Sequence, residues 1–290
     1  RSISNGVTRI GNHAFHGGNN LTSVTLQNSL IEIGDYAFGW CPLTSLTIPN
    51  NVTHLGDHAI YGCTELATVT IGSGVTSIGE HTFSSCHSLS SITIPASVTN
   101  IVTPISVDCH ALTSIVVESG NSKYDSRDNC NAIIETAANT LIQGCKSTII
   151  PNTVTHLGEA SFSDCDSLVS IDIPNSIVSI GYKTFMGSVN LATITIPNSV
   201  TTIEDCAFYG CSSLASITIG SSVVSIKGEA FRDCRSLISV QIPSSVTYIG
   251  GVVFVNCSGL TTVEFSNSTP PTFENSTSFS GTTCAILVPD

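Results

Sequence analysis

Basic residues are scarce in this chain. Nine of its 290 residues are lysine or arginine, against 21 aspartates and glutamates, for a formal charge of −12. A nucleic-acid partner needs a basic footprint, so that class is excluded. Binding to anionic membrane surfaces is disfavoured on the same ground. Charge of either sign is low, at 10% of residues, and aromatics make up only 6%, with one Trp. No apolar run approaches the roughly 18–20 residues of a spanning helix, so membrane insertion is not expected. No leader pattern is visible; the chain starts at Arg1 and its one methionine is Met186, as in an excised piece of a longer protein. No nucleophile elbow or glycine-rich loop occurs, and the cysteines lack CxxC spacing, so neither an enzyme nor a cofactor is expected.

What the chain has is repetition. Units open at Val7, Leu30, Val52, Val75 and Val98, then at Val154, Ile177, Val200, Val223 and Val246. The spacing is 23 residues, except 22 for the second unit and 56 across the middle. A fixed period of this size is the mark of a solenoid, in which one unit cannot bury its apolar face alone and stacked units share a core. The unit reads V-T-x-I-G-x-x-A-F-x-x-C-x-x-L-x-S-I-T-I-P. "SITIP" alternates apolar and polar, which predicts a short strand with Ile92 and Ile94 inward and Ser91 and Thr93 outward. The proline ends it, because it has no N–H for the next rung. "VTSI" predicts a second short strand on another wall. "GEHTFSSC" reads as one helical turn, with Asp35, Asp57, Glu80 and Glu159 placed as first-turn acids. Phe15, Phe38, Phe83, Phe162, Phe185, Phe208, Phe231 and Phe254 would form a core row.

Cys41, Cys63, Cys86, Cys109, Cys165, Cys211, Cys234 and Cys257 share one position in eight of ten units; Gly18 and Ser188 take the other two. Coils about 4.8 Å apart hold such side chains parallel, whereas a disulfide needs converging Cβ atoms about 3.8 Å apart. The ladder therefore reads as buried, reduced thiols that fill the core, with Cys130, Cys206 and Cys284 the exceptions and Cys145 able to rejoin the row.

The unit resembles the BspA-like, or Treponema-type, leucine-rich repeat, over roughly nine-tenths of the chain. The segments "NSKYDSRDNCNAIIETAANTLIQGCKSTIIP" and "TPPTFENSTSFSGTTCAILVPD" also look like parts common in that family. The resemblance implies a leucine-rich repeat solenoid of about ten units, right-handed, with a parallel β-sheet on the concave side and 3-10 or helical turns on the convex side. It also implies a secreted or cell-surface protein that adheres to host protein, glycan or other cells. The expected domains are a solenoid over 1–268, with an irregular unit at 98–120 and an inserted hairpin at 121–153, and a truncated capping segment at 269–290.

The expected contact surface is the outward strand face: Thr25, Thr47, Thr70, Thr93, Asp172, Thr195, Thr218, Gln241 and Glu264, with Val116 another departure from Thr. An extracellular protein or glycan is the expected partner. A rigid spacer that displays other domains and an ice-binding Thr lattice are the competing readings. No metal is expected. His13, His58 and His81 share a repeat position about one strand spacing apart, but no third ligand is specified. Asp125, Asp128, Asn129, Asn131 and Glu135 cluster in the insert without calcium-loop spacing.

Overall fold

A computed structural model describes residues 2–289. The chain is a parallel β-solenoid of about 12 turns with repeats of about 23 residues. It divides into two compact units, residues 1–138 with 142–148, and residues 139–141 with 149–290.

In the first unit the "VTSI" pieces Arg9–Ile10, Glu32–Ile33, His54–Leu55, Ser77–Ile78 and Asn100–Ile101 form one five-stranded parallel sheet. Its inward residues stack in register: Ile10 on Ile33, then Leu55, Ile78 and Ile101. The "SITIP" wall is more broken. Ser45–Thr47 pairs with Thr68–Thr70, and Ser91–Ile94 with Ser114–Val117. In the second unit His156–Leu157, Ser179–Ile180, Thr202–Ile203, Ser225–Ile226, Tyr248–Ile249 and Thr272–Phe273 pair consecutively, all parallel. Its "SITIP" wall is continuous over five strands: Thr193–Thr195, Ser216–Thr218, Ser239–Ile242, Thr262–Phe265 and Ala285–Leu287. The last of these, with Thr272–Phe273 and with Phe279 stacked on Phe254 at 5.5 Å, makes the C-terminal segment a further coil of the solenoid.

The third wall differs from the expected helical turn. Among the described residues the one helix is a 3-10 turn at Arg127–Asn129, in the insert. Each "GEHTFSSC" segment is instead a run of turns with two left-handed residues four apart. His13, Tyr36, His58, His81, Lys183, Cys206 and Glu229 all have φ between 52° and 57° at the first of these positions. Alternating conformation points every second N–H along the stack. His13, Phe15 and Gly17 donate to the carbonyls of Asp35, Ala37 and Gly39 at 2.8 Å each. Backbone groups that a helix would satisfy within one coil are satisfied between coils. The acids serve the same end, not a helix dipole. Asp35 Oδ1 accepts the Asp57 N–H at 3.0 Å, and Asp57 Oδ1 accepts that of Glu80 at 2.8 Å. The glycine before each acid makes room for this: a Cβ on Gly56 would lie 2.5 Å from Asp35 Oδ1.

The core row forms as expected in the second unit. Phe162, Phe185, Phe208, Phe231 and Phe254 stack nearly parallel with centroids 5.2–5.6 Å apart. In the first unit Phe15 stacks on Phe38, after which Ile60 and Ile105 alternate with Phe83. In the irregular coil Thr103–Pro104 is cis, and the Ile105 N–H donates to Gln143 Oε1 at 2.9 Å. Ile133–Glu135 and Thr140–Gln143 are strands on either side of a turn, and Tyr124–Asp125 adds to Ile133–Glu135 antiparallel.

Candidate protein-binding surface

All nine expected contact residues are exposed. Their elements hold them there by period-two alternation, with Leu46, Ile92, Ile194 and Val263 buried beneath. The structure joins them in groups. Thr47 is in register with Thr70, and Thr93 with Val116. Thr195 pairs with Thr218, and Gln241 pairs with Glu264, which is followed by Leu287. Thr218 and Gln241 line one shallow hollow with Ser221 and Ser266, where Gln241 Nε2 donates to Ser266 Oγ at 3.5 Å. Thr25 lies in an isolated bridge with Ser2 and Asp172 lies outside any strand, so neither sits on a ladder of the expected sheet.

The ladder cysteines have a specific partner that the repeat spacing conceals. Seven of the eight thiols donate to the carbonyl of the core-row residue one coil back. Cys41 bonds Phe15 O at 3.0 Å, Cys63 Phe38 O at 3.2 Å, and Cys86 Ile60 O at 3.4 Å. Cys109, Cys211, Cys234 and Cys257 bond the carbonyls of Phe83, Phe185, Phe208 and Phe231 at 3.0–3.1 Å. Ser188, which replaces cysteine in its unit, does the same to Phe162 O at 2.8 Å. All twelve cysteines are free. Burial pushes the Cys63 and Cys257 thiols up to about 12, against a weaker opposing pull from backbone N–H groups. Burial is not uniform, however. Cys109 and Cys165 are only partly covered, each at the end of a run of regular coils, whereas Cys130, expected as an exception, is fully buried in the insert.

In the insert, Asp125 is committed to neighbouring side chains. Asp125 is clamped by Arg127, whose Nε and Nη2 lie 2.7 and 2.6 Å from its two oxygens, and Thr136 Oγ1 adds a bond at 2.7 Å. Partial burial raises the Asp125 carboxyl, and these donors outweigh it, so it lies below the usual carboxylate range.

Sequence reasoning missed an aromatic patch on the turn wall of the first unit. Tyr36 sits between His13 and His58, stacked at 5.0 and 4.5 Å, and His58 meets His81 at 5.0 Å. Trp40, 50% exposed, lies edge-on to Tyr61 at 5.3 Å. A Cβ on Gly62 would fall 2.7 Å from the indole, so this glycine lets Trp40 lie against the next coil. The signal was in one repeat column, where His13, Tyr36, His58 and His81 recur 22 or 23 residues apart.

The BspA type leucine rich repeat region matches in six copies over residues 2–127, 134–261 and 178–284. The chain belongs to this family. Solved structures agree on the fold. The pneumococcal vaccine antigen PcpA is 21% identical with a TM-score of 0.74, aligned over 100% of this chain and 68% of that one. A leucine rich cell surface protein from Faecalibacterium prausnitzii A2-165 is 28% identical with a TM-score of 0.67, over 98% and 70% of the two chains. A leucine-rich repeat protein from Bacteroides ovatus ATCC 8483 is 28% identical with a TM-score of 0.62, over 97% and 69%. No curated protein matches the chain.

Proposed function

We propose that this BspA-type repeat chain is a non-enzymatic, secreted or cell-surface binding module whose strand wall contacts an extracellular protein or glycan. The carrying observation is the second unit's outward column, where Thr195 and Thr218 give way to Gln241 and Glu264 beside a shared hollow. A uniform hydroxyl lattice offers every partner the same groups, and specificity needs differences. The two exposed apolar residues Val169 and Ile238 enter the same wall just ahead of Asp172 and Gln241. The surface location rests on the likeness to the Faecalibacterium cell surface protein. Among the described residues no helix is long and apolar enough to cross a membrane.

The strand wall carries no Trp, Tyr or Arg, the residues that usually dominate hot spots, so affinity per site is modest and gains from multivalency. The test is an array of glycans and extracellular-matrix proteins, followed by Asp172→Thr, Gln241→Thr and Glu264→Thr together. Binding that survives all three changes in a folded protein refutes the strand-wall assignment. A second reading has its own observation: Trp40, Tyr36 and Tyr61 supply hot-spot residue types on the turn wall. Loss of binding on Trp40→Ala would favour it. Complete failure to bind anything on the array would favour the rigid spacer. The ice lattice is disfavoured, because the Thr column is broken at Val116, Gln241 and Glu264.

A further inference from the structure

We infer that His87, Asp108 and His110 form a divalent transition-metal site that staples two successive coils of the first unit. His87 and His110 each follow a ladder cysteine by one residue and stand 23 residues apart. The thiols of Cys86 and Cys109 anchor the two backbones to Ile60 O and Phe83 O, so the histidines are delivered in register. Their rings stack with centroids 4.6 Å apart. Asp108 holds a left-handed conformation, φ 57°, at the turn position where several other coils have glycine. Its carboxylate reaches both rings: Oδ2 is 3.0 Å from His87 Nε2, and Oδ1 is 3.3 Å from His110 Nε2.

The three ligand atoms all lie within 4.8 Å of one another, the one such group of His, Cys, Asp or Glu among the described residues. Bonds of about 2.0–2.1 Å in a tetrahedron set ligand atoms roughly 3.3 Å apart; the Asp108 contacts at 3.0 and 3.3 Å already match this, and only the two imidazole nitrogens would have to approach by side-chain torsion. Two imidazoles and one carboxylate suit zinc, copper or nickel and not calcium, which wants oxygen alone. Outer contacts hold the set in place. Ser85 Oγ donates to Asp108 Oδ2 at 3.1 Å, and Lys146 Nζ donates to the His110 carbonyl at 2.7 Å. The Cys109 thiol is committed to Phe83 O and does not compete as a fourth ligand. Side-chain exposures of 34–42% leave the remaining position open to water. The site lies where the solenoid is least regular. His110 and Asp108 belong to the coil in which the Phe gives way to Ile105, and a metal bridge would tie that coil to its regular neighbour.

This site is unlike the His58–His81 pair, which has no carboxylate placed between its rings; Glu80 lies 3.7 Å from His81 alone. The experiment is titration of the chelator-stripped full chain with zinc by calorimetry, with cobalt as a spectroscopic substitute. One equivalent should bind, with a tetrahedral cobalt spectrum lacking thiolate charge-transfer intensity. His87→Ala and His110→Ala should each abolish binding, Ser85→Ala should weaken it about tenfold, and His58→Ala should leave it unchanged. Zinc should also protect His87 and His110, and not His58, from carbethoxylation in the unaltered protein, a readout that needs no variant to fold. Absence of a saturable equivalent, a thiolate spectrum, or equal modification of His87 and His110 with and without zinc would overturn the inference.

Discussion

Replacing Cys234 separates two accounts of why cysteine recurs in this core. Its side chain is fully buried, and Sγ donates to Phe208 O at 3.1 Å. That carbonyl also accepts the Cys211 N–H at 3.2 Å, so it is never orphaned. Cys234→Ala removes the thiol's bond, about 1 kcal/mol net, and leaves a small cavity worth about another 1 kcal/mol. Cys234→Ser leaves a hydroxyl facing the same acceptor, as Ser188 already does at 2.8 Å while fully buried. Its cost should be at most about 1 kcal/mol, mostly lost sulfur contact. In an apolar core without a built acceptor the order reverses, because a buried hydroxyl without a partner costs about 1–3 kcal/mol. Urea denaturation followed by circular dichroism, with equal m-values as the control, measures both variants. A serine variant as unstable as the alanine variant, or more so, refutes the hydrogen-bonding account and leaves packing alone.

Phe208→Ala removes the ring stacked between Phe185 and Phe231 and should cost about 3–5 kcal/mol in the same assay. Gly56→Ala places a methyl against Asp35 Oδ1 and the Asp35 N–H and should cost about 1–3 kcal/mol, although the residue is on a turn. The alkaline limb of stability follows from the thiols. With a folded pKa of about 12 against 9.0, Cys63 keeps its proton where the unfolded chain loses it. Its stabilisation is complete below pH 9 and declines as pH rises from 9 towards 12. At about pH 10.5 the loss is about 2 kcal/mol. Cys63→Ser should flatten the curve over that window, and an unchanged slope would contradict the burial argument.

The period of 23 residues made the coils legible, and the alternation in "SITIP" placed all nine expected contact residues on the outside. Phe and Cys columns were legible for the same reason: one position copied along the chain faces one environment. The turn wall was not legible, because its left-handed residues include His, Tyr, Lys, Cys and Glu at one position. No residue type announces a conformation that bonding between coils imposes. The role of Asp35 and Asp57 was hidden likewise, since an acid that accepts the next coil's N–H looks locally like a helix cap. Asp172 was misplaced on a strand because its own motif is intact; what fails is the ladder beside it. The His87–Asp108–His110 group was readable in principle, as two histidines one residue past the ladder, but only once the columns beside the cysteines are followed through.

The most direct test of the functional account is hydroxyl-radical footprinting of the unaltered chain with and without a partner identified on the array. Val169, Ile238 and Val116 report on the strand wall, and Trp40, Tyr36 and Tyr61 on the turn wall. The account predicts protection of Val169 and Ile238, with the three aromatic residues oxidised as in the free protein. Protection confined to Trp40, Tyr36 and Tyr61 would contradict it and move the binding surface to the opposite chemistry.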